Sequence, residues 1–363
     1  MFPSPKKIRD ATANAAHRLR HGAVADLTPT PSDPVGGSGA LRRYRPAASV
    51  IATGPPVLLV PPPVPGAAWA FDLRRGGSLA AHLVATGRRV HLLDLAPADT
   101  AEHPGGPARW IGETIPEAVR RVSRDAGGQP VQLVGWSLGG ILAVLAAAAD
   151  PGLPLASLAT LAAPVDRTAV PAGADPVAHI AGSRGVLPGA VQRIAPESLL
   201  HGYETYGIDK RLTRPVKLLL HLDDADFLAQ AEAREAFAAR VTADPASAQA
   251  ATRFFRRGDL ASGAVLVGGR RIALSDVRVP VLVLAGRDDA FAPLAAVHPL
   301  TRLLTGSPEV RFATAPGSHL GVLTGRAARA TTWPRLGAWL DEATLQHGLR
   351  PARKNPDKVV TRT

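Results

Sequence analysis

The chain has 363 residues, 46% of them hydrophobic and 20% charged, enough to bury a large core in one big domain or two small ones. It contains no cysteine, which excludes a disulfide scaffold, a cysteine-zinc module and a thiol-dependent enzyme. The net charge of +12 sits mostly at the ends: residues 1–25 carry +4, residues 350–363 another +4, and the long body between them the rest.

That distribution points to a balanced body with solvated basic ends rather than a nucleic-acid surface. Such ends offer at most a weak contact to an anionic surface or granule. The N-terminal charges are not followed by an apolar run, and no run reaches the ~18 residues of a spanning helix. The expected location is therefore the cytoplasm.

Residues 1–54 are rich in Ala, Pro, Gly and Arg. They predict a short helix near 6–20 and then a loosely attached arm and linker. A first core segment follows at 55–165. VLLVP at 57–61 reads as a buried strand, GGSLAAHLVATG at 76–87 as a helix and RVHLLDL at 89–95 as a strand. Residues 112–126 give a helix, 131–136 a strand, 138–150 a buried helix and 157–164 a strand. Alternation at this pitch implies right-handed βαβ units, hence a mostly parallel sheet with helices on both faces.

Residues 166–276 break the alternation with a largely helical texture, expected to be an inserted cap, and end in a hairpin around Gly268-Gly269. The core resumes at 277–349 with a strand at 279–286, a helix at 293–304, a strand at 309–315 and a helix at 326–346. A basic tail, 350–363, closes the chain.

The sharpest local signal is Gly135-Trp136-Ser137-Leu138-Gly139-Gly140, set between a buried strand and an apolar helix. This is the context a nucleophile elbow needs. The turn is tight, so Gly135 and Gly139 must lack a Cβ, and the serine Oγ is thrown up above the sheet. The Leu138 N–H then lies at a helix N-terminus, ready for an oxyanion beside Ser137. A serine needs a base and an orienting acid. Asp288 and Asp289 follow one strand end and His319 another, in the order Ser…Asp…His. Asp289, three residues past Gly286, is the preferred acid; either aspartate also suits a helix cap. A second oxyanion donor is expected in the loop Val60–Gly66. Its four prolines have no N–H, which leaves Val64 first and Gly66 next. His201, His221 and His298 have no metal-ligand spacing, and the chemistry calls for neither metal nor cofactor.

These residues resemble the α/β-hydrolase superfamily and, within it, the polyhydroxyalkanoate synthase branch. The likeness runs through residues 55–95 with their FDL…SL stretch, through GAVLVGGRRIALSDVRVPVLVLAGRDDAFAP at 263–293, and through GSHLGVLTGRAA at 317–328. It implies an α/β-hydrolase fold with an inserted cap, and Ser137 as nucleophile, Asp289 as acid and His319 as base.

Two departures stand out. The branch carries cysteine where this chain has Ser137, and the histidine usual after its aspartate is Ala290 here. An acyl group moved from a thioester onto cysteine keeps its driving force, whereas on serine it becomes an ordinary oxygen ester better suited to hydrolysis. The expectation is a serine acyl hydrolase acting on a small or oligomeric ester, thioester or hydroxyalkanoate polyester. Two alternatives stand beside it: an acyltransferase using hydroxyacyl-CoA, and a catalytically silent binding or granule-associated protein.

Overall fold

The architecture comes from a computed structural model, described for residues 4–36, 38–95, 106–169, 218–241 and 260–346. The strands in chain order are β1 (Ser32–Val35), β2 (Ser38–Tyr44), β3 (Val57–Val60), β4 (Val90–Leu93), β5 (Val131–Trp136) and β6 (Leu155–Leu161). They continue with β7 (Ala264–Val267), β8 (Arg270–Ala273), β9 (Val281–Gly286) and β10 (Val310–Ala315). Eight of them form one sheet in the order β1-β2-β4-β3-β5-β6-β9-β10. The six strands from β4 to β10 run parallel; β2 adds antiparallel to β4 and β1 antiparallel to β2 at one edge. β7 and β8 make the expected hairpin about Gly268-Gly269.

Every residue of β3, β5, β6 and β9 is buried, which requires cover on both faces of the sheet. The principal helices are α1 (Pro5–His21), α2 (Leu79–Ala85), α3 (Ile115–Asp125), α4 (Leu138–Ala149), α5 (Ala225–Arg240) and α6 (Thr332–Gln346). α4 is buried from Gly139 to Ala149, as its unbroken apolar sequence demands. Gln132 of β5 reaches α6, donating to the Leu340 carbonyl at 2.6 Å. α2 and the loop after it touch α6, with the His82 and Trp333 rings 4.8 Å apart and Arg88 bonded to Asp341 at 2.7 Å.

The helix expected over 293–304 is two short turns, Leu294–Val297 and Leu300–Leu303. Pro299 has no N–H to carry the ladder between them. The helix expected over 326–346 divides at Thr331 into Arg326–Ala330 and α6. Pro334 fits the first turn of the second piece but cannot donate back into the first.

The stretch 1–54 departs further from a loose arm and linker. Residues 32–35 and 38–44 form β1 and β2, and Leu41, Arg42 and Arg43 pair with Leu93, Leu92 and His91 of β4. Leu41 and Tyr44 are buried in the core. The preceding helix is docked as well. Asn14 donates to the Leu222 carbonyl at 2.7 Å, and Arg18 meets Glu232 at 2.9 Å. The other Glu232 oxygen accepts the Val24 and Ala25 N–H groups at 2.6 and 2.9 Å. Arg18 is thus paired with Glu232 and Lys7 with Asp223, while Lys6, Arg9 and Arg20 stay exposed. The C-terminal tail, 350–363, lies outside the described residues.

Much of the expected cap does too, but α5 falls within that range and is tied to the core by ion pairs. Asp226 meets Arg74, Arg326 and Arg329, and Asp224 meets Arg326 at 2.8 Å. Gln230 donates to Thr324 at 3.1 Å. Partial burial works to raise the Asp226 carboxyl, but hydrogen bonds from Arg329, Arg74 and Arg326 outweigh it and hold the group well below the usual carboxylate range. Asp224 is shifted the same way, burial again opposing the stronger effect of Arg326 and the Phe227 N–H. Among the described residues, no helix is long and apolar enough to cross a membrane.

Candidate active site

Ser137 follows the last residue of β5 and immediately precedes α4, with φ +55° and ψ −130°. That is a strained conformation for any residue with a side chain, costing on the order of 1–3 kcal/mol. It persists because glycines on either side let the chain close. A Cβ on Gly135 would fall 2.5 Å from the Gly140 Cα, and one on Gly139 would fall 2.5 Å from the Pro61 carbonyl oxygen. The Ser137 N–H is tied to the Leu161 carbonyl of β6 at 2.9 Å. A serine just before a helix normally caps it with its own hydroxyl. Here Oγ makes no capping bond and meets His319 Nε2 instead, at 2.8 Å.

His319 sits in the loop after β10, and its Nδ1 lies 2.8 Å from Asp289 Oδ2. The other Asp289 oxygen, Oδ1, accepts the Phe291 and Ala292 N–H groups at 2.9 and 2.8 Å, which fixes the carboxylate. Ser137, Asp289 and His319 are 3%, 4% and 2% exposed, so this relay is shielded from bulk water.

The neighbouring aspartate does something else. Exposed Asp288 accepts the Gly317 N–H at 2.9 Å, and its own N–H donates to the Gly317 carbonyl at 3.3 Å. It stitches the aspartate loop to the histidine loop. Gly286 and Gly317 make that approach feasible: a Cβ on Gly286 would sit 2.7 Å from the Gly317 oxygen, and Gly317 has φ +128°.

Two aromatic residues hold His319 without any motif having marked them for that role. The Trp136 indole N–H donates to the His319 carbonyl at 3.2 Å, and the Phe291 ring lies 4.5 Å from the imidazole. Their only sequence signal is position, one beside the elbow serine and the other two residues past the aspartate.

Leu138 opens α4, so its N–H faces the end of the helix that favours negative charge. Val64 is placed differently from expectation: its N–H donates to the Pro62 carbonyl at 2.8 Å, inside its own loop. Val64 therefore stands as an oxyanion donor only if that short turn opens, because one N–H cannot serve both acceptors at full strength.

His221 stacks on Phe227 and His298 packs edge-on against Phe312, both ordinary packing roles. His201 lies outside the described residues. Among those described, no group of three or more His, Asp or Glu side chains is arranged to hold a metal ion.

A family model of the alpha/beta hydrolase fold matches residues 56–325. The chain is 26% identical over 286 residues to the poly(3-hydroxyalkanoate) polymerase subunit PhaC of Allochromatium vinosum, covering 75% of this chain and 76% of that protein. It is 25% identical over 320 residues to the PhaC subunit of Thiocystis violacea, covering 83% and 85%. Among solved structures, a thermophilic esterase from Thermogutta terrifontis aligns at 17% identity with a TM-score of 0.49, over 86% of this chain and 98% of that one.

Proposed function

The chain belongs to the alpha/beta hydrolase fold family, and from that premise we propose that it is a serine acyl hydrolase working through Ser137, His319 and Asp289. The observation that carries this reading is the hydrogen-bonded line Ser137 Oγ–His319 Nε2–Asp289 Oδ2, 2.8 Å at each step, with a serine hydroxyl diverted from helix capping.

In the proposed cycle His319 Nε2 takes the Ser137 proton as Oγ attacks an acyl carbonyl. Asp289 accepts the Nδ1–H bond, fixing the tautomer and stabilising the imidazolium. The Leu138 N–H, with a second donor from the loop after β3, holds the oxyanion. The tetrahedral adduct collapses, its C–O or C–S bond breaks, and His319 returns the proton to the departing alcohol or thiol. Water then adds to the acyl-serine, giving its proton to His319; the acid leaves and Ser137 regains its hydrogen.

A second reading, acyl transfer to a hydroxyl acceptor, is favoured by the similarity to two PhaC polymerase subunits. Against it stands the nucleophile. An oxygen ester on Ser137 holds less driving force for transfer than a thioester, so water is the better-matched acceptor.

The test is labelling with a fluorophosphonate, read by intact mass, beside Ser137→Ala. One adduct, absent from the variant, is expected. No adduct on folded protein with either the fluorophosphonate or a smaller sulfonyl fluoride overturns the catalytic reading. Product analysis with hydroxyacyl-CoA and short hydroxyalkanoate oligomers separates the two chemistries: free acid for hydrolysis, lengthened oligomer for transfer.

A further inference from the structure

The loop leaving β3 is wedged between two helices. On one side the Pro61 carbonyl presses on Gly139, in the first turn of α4, where a Cβ would come within 2.5 Å of it. On the other side the carbonyl of Arg240, the last residue of α5, presses on Gly66, where a Cβ would again fall at 2.5 Å. Gly66 has φ +82°, and its carbonyl accepts the Trp69 N–H at 3.2 Å. The Trp69 ring in turn carries the Arg240 guanidinium, whose carbon lies 4.1 Å from the ring centroid.

Inside the loop the N–H bonds reach only two or three residues, as from Ala67 to the Val64 carbonyl at 2.9 Å, while Pro61, Pro62 and Pro63 are buried. Pro61, Pro62, Pro63 and Pro65 make it stiff but give it no N–H bonds, and the Val64 N–H is spent locally on Pro62. A stiff segment whose own ties are this short takes its position from what it is pressed against. α4 is fixed in the core, so the adjustable wall is α5. This 16-residue rod, about 24 Å long, is seated by Asp224 and Asp226 at its other end on the segment that follows His319.

We propose that Arg240, Trp69 and Gly66 form a seat through which α5 holds the loop after β3 in register with Ser137. These are positioning residues for the oxyanion side of the site, and the proposal rests on the serine acyl hydrolase reading. An oxyanion contact from this loop, through Gly66 or through Val64 once its turn to Pro62 opens, matters most when charge develops, so a small shift of the loop costs turnover more than ground-state binding.

Arg240 is exposed, so replacing it disturbs the seat without opening a hole in the core. The experiment uses the full chain as wild type, Arg240→Ala, Arg240→Lys, Trp69→Leu and Trp69→Phe. It measures hydrolysis of a short p-nitrophenyl ester and amide hydrogen exchange across residues 64–72. Arg240→Ala and Trp69→Leu are expected to lower kcat by about tenfold with KM changed less than about twofold. Both should speed exchange in the loop and leave the pH midpoint of kcat in place. Arg240→Lys and Trp69→Phe, which keep a cation and a ring, should recover most of the loss.

A loss confined to KM, a kcat loss with unaltered exchange, or no change in either quantity overturns the proposal. If wild type neither hydrolyses esters nor takes a label at Ser137, the catalytic reading fails on its own. Exchange then still decides the seat: faster exchange in Arg240→Ala keeps it, and unchanged exchange removes it.

Discussion

Ser137 and α5 are each held from several sides, but by different materials. Around Ser137 the restraint is backbone against backbone: Gly135 on Gly140, Gly139 on Pro61, Gly286 on Gly317, with hydrogen bonds of 2.8 Å running through buried side chains. Around α5 it is arginine against carboxylate, with Arg74, Arg326 and Arg329 gathered on Asp226 and Arg18 on Glu232. The first kind has no slack, since backbone atoms cannot step aside. The second tolerates displacement and responds to acid and salt. A site that must hold reacting atoms to fractions of an ångström is built from the rigid kind, and the helix against the loop after β3 is fastened with the yielding kind.

Substitutions can break that contrast at several strengths. The largest effect is expected for Asp289→Asn, which keeps the shape of the relay but spoils the tautomer of His319. Ester turnover should fall by about 10⁴-fold with the fold retained by circular dichroism. Asp288→Asn, which only weakens the stitch to Gly317, should cost less than about tenfold in the same assay. Equal losses would remove the distinction between the two aspartates.

Next comes Gly139→Ala. The new methyl meets Val60 and Pro61 backbone, so unfolding in urea should show a loss of about 3 kcal/mol together with loss of labelling at Ser137. By contrast Asp226→Asn strips the counter-charge from nearly buried Arg74, 5% exposed, and should cost about 2 kcal/mol. The Asp224 and Asp226 carboxyls are held low in the fold, so their contribution is complete above the ordinary carboxylate range. It fades as pH falls below that range towards the lower folded-state values, because the unfolded chain takes up protons first. Melting temperature followed from pH 7 to pH 3 should drop more steeply for wild type than for Asp226→Asn. The smallest effect is at Gly337 in α6, where a Cβ meets nothing within 4 Å; Gly337→Ala should stabilise by about 0.5–1 kcal/mol in the same denaturation.

The division between rigid and yielding contacts also explains what could be read in the sequence. Strand, turn and helix at Val131–Ala149 are encoded by neighbours in the chain, so the elbow and its glycines are visible as a motif. The aspartate and histidine are visible because each follows a strand whose apolar run is unmistakable. What brings residues 14 and 222, or 24 and 232, together lies more than 200 positions away in the chain, and nothing local to Asn14 or Glu232 encodes it. β1 and β2 are hidden for another reason: the edge strand β1 carries Asp33 and Pro34 and its neighbour β2 carries Arg42 and Arg43, a polar texture that reads as linker. Val64 shows a third limit. Counting prolines identifies which residues own an N–H, but only the turn geometry shows that Pro62 has taken it.

The pairing of β2 with β4 also bears on how this chain can be shortened for study. The match to the alpha/beta hydrolase fold begins at residue 56, and a cut there looks natural from sequence likeness alone. It would remove the partner of Leu93, Leu92 and His91 and leave one side of β4 with bare amide and carbonyl groups. An unpaired edge of that kind recruits strands from other molecules, so the trimmed protein should come out as aggregate or inclusion bodies rather than as a working domain. A shortened version that keeps its sheet whole has to start ahead of Ser32.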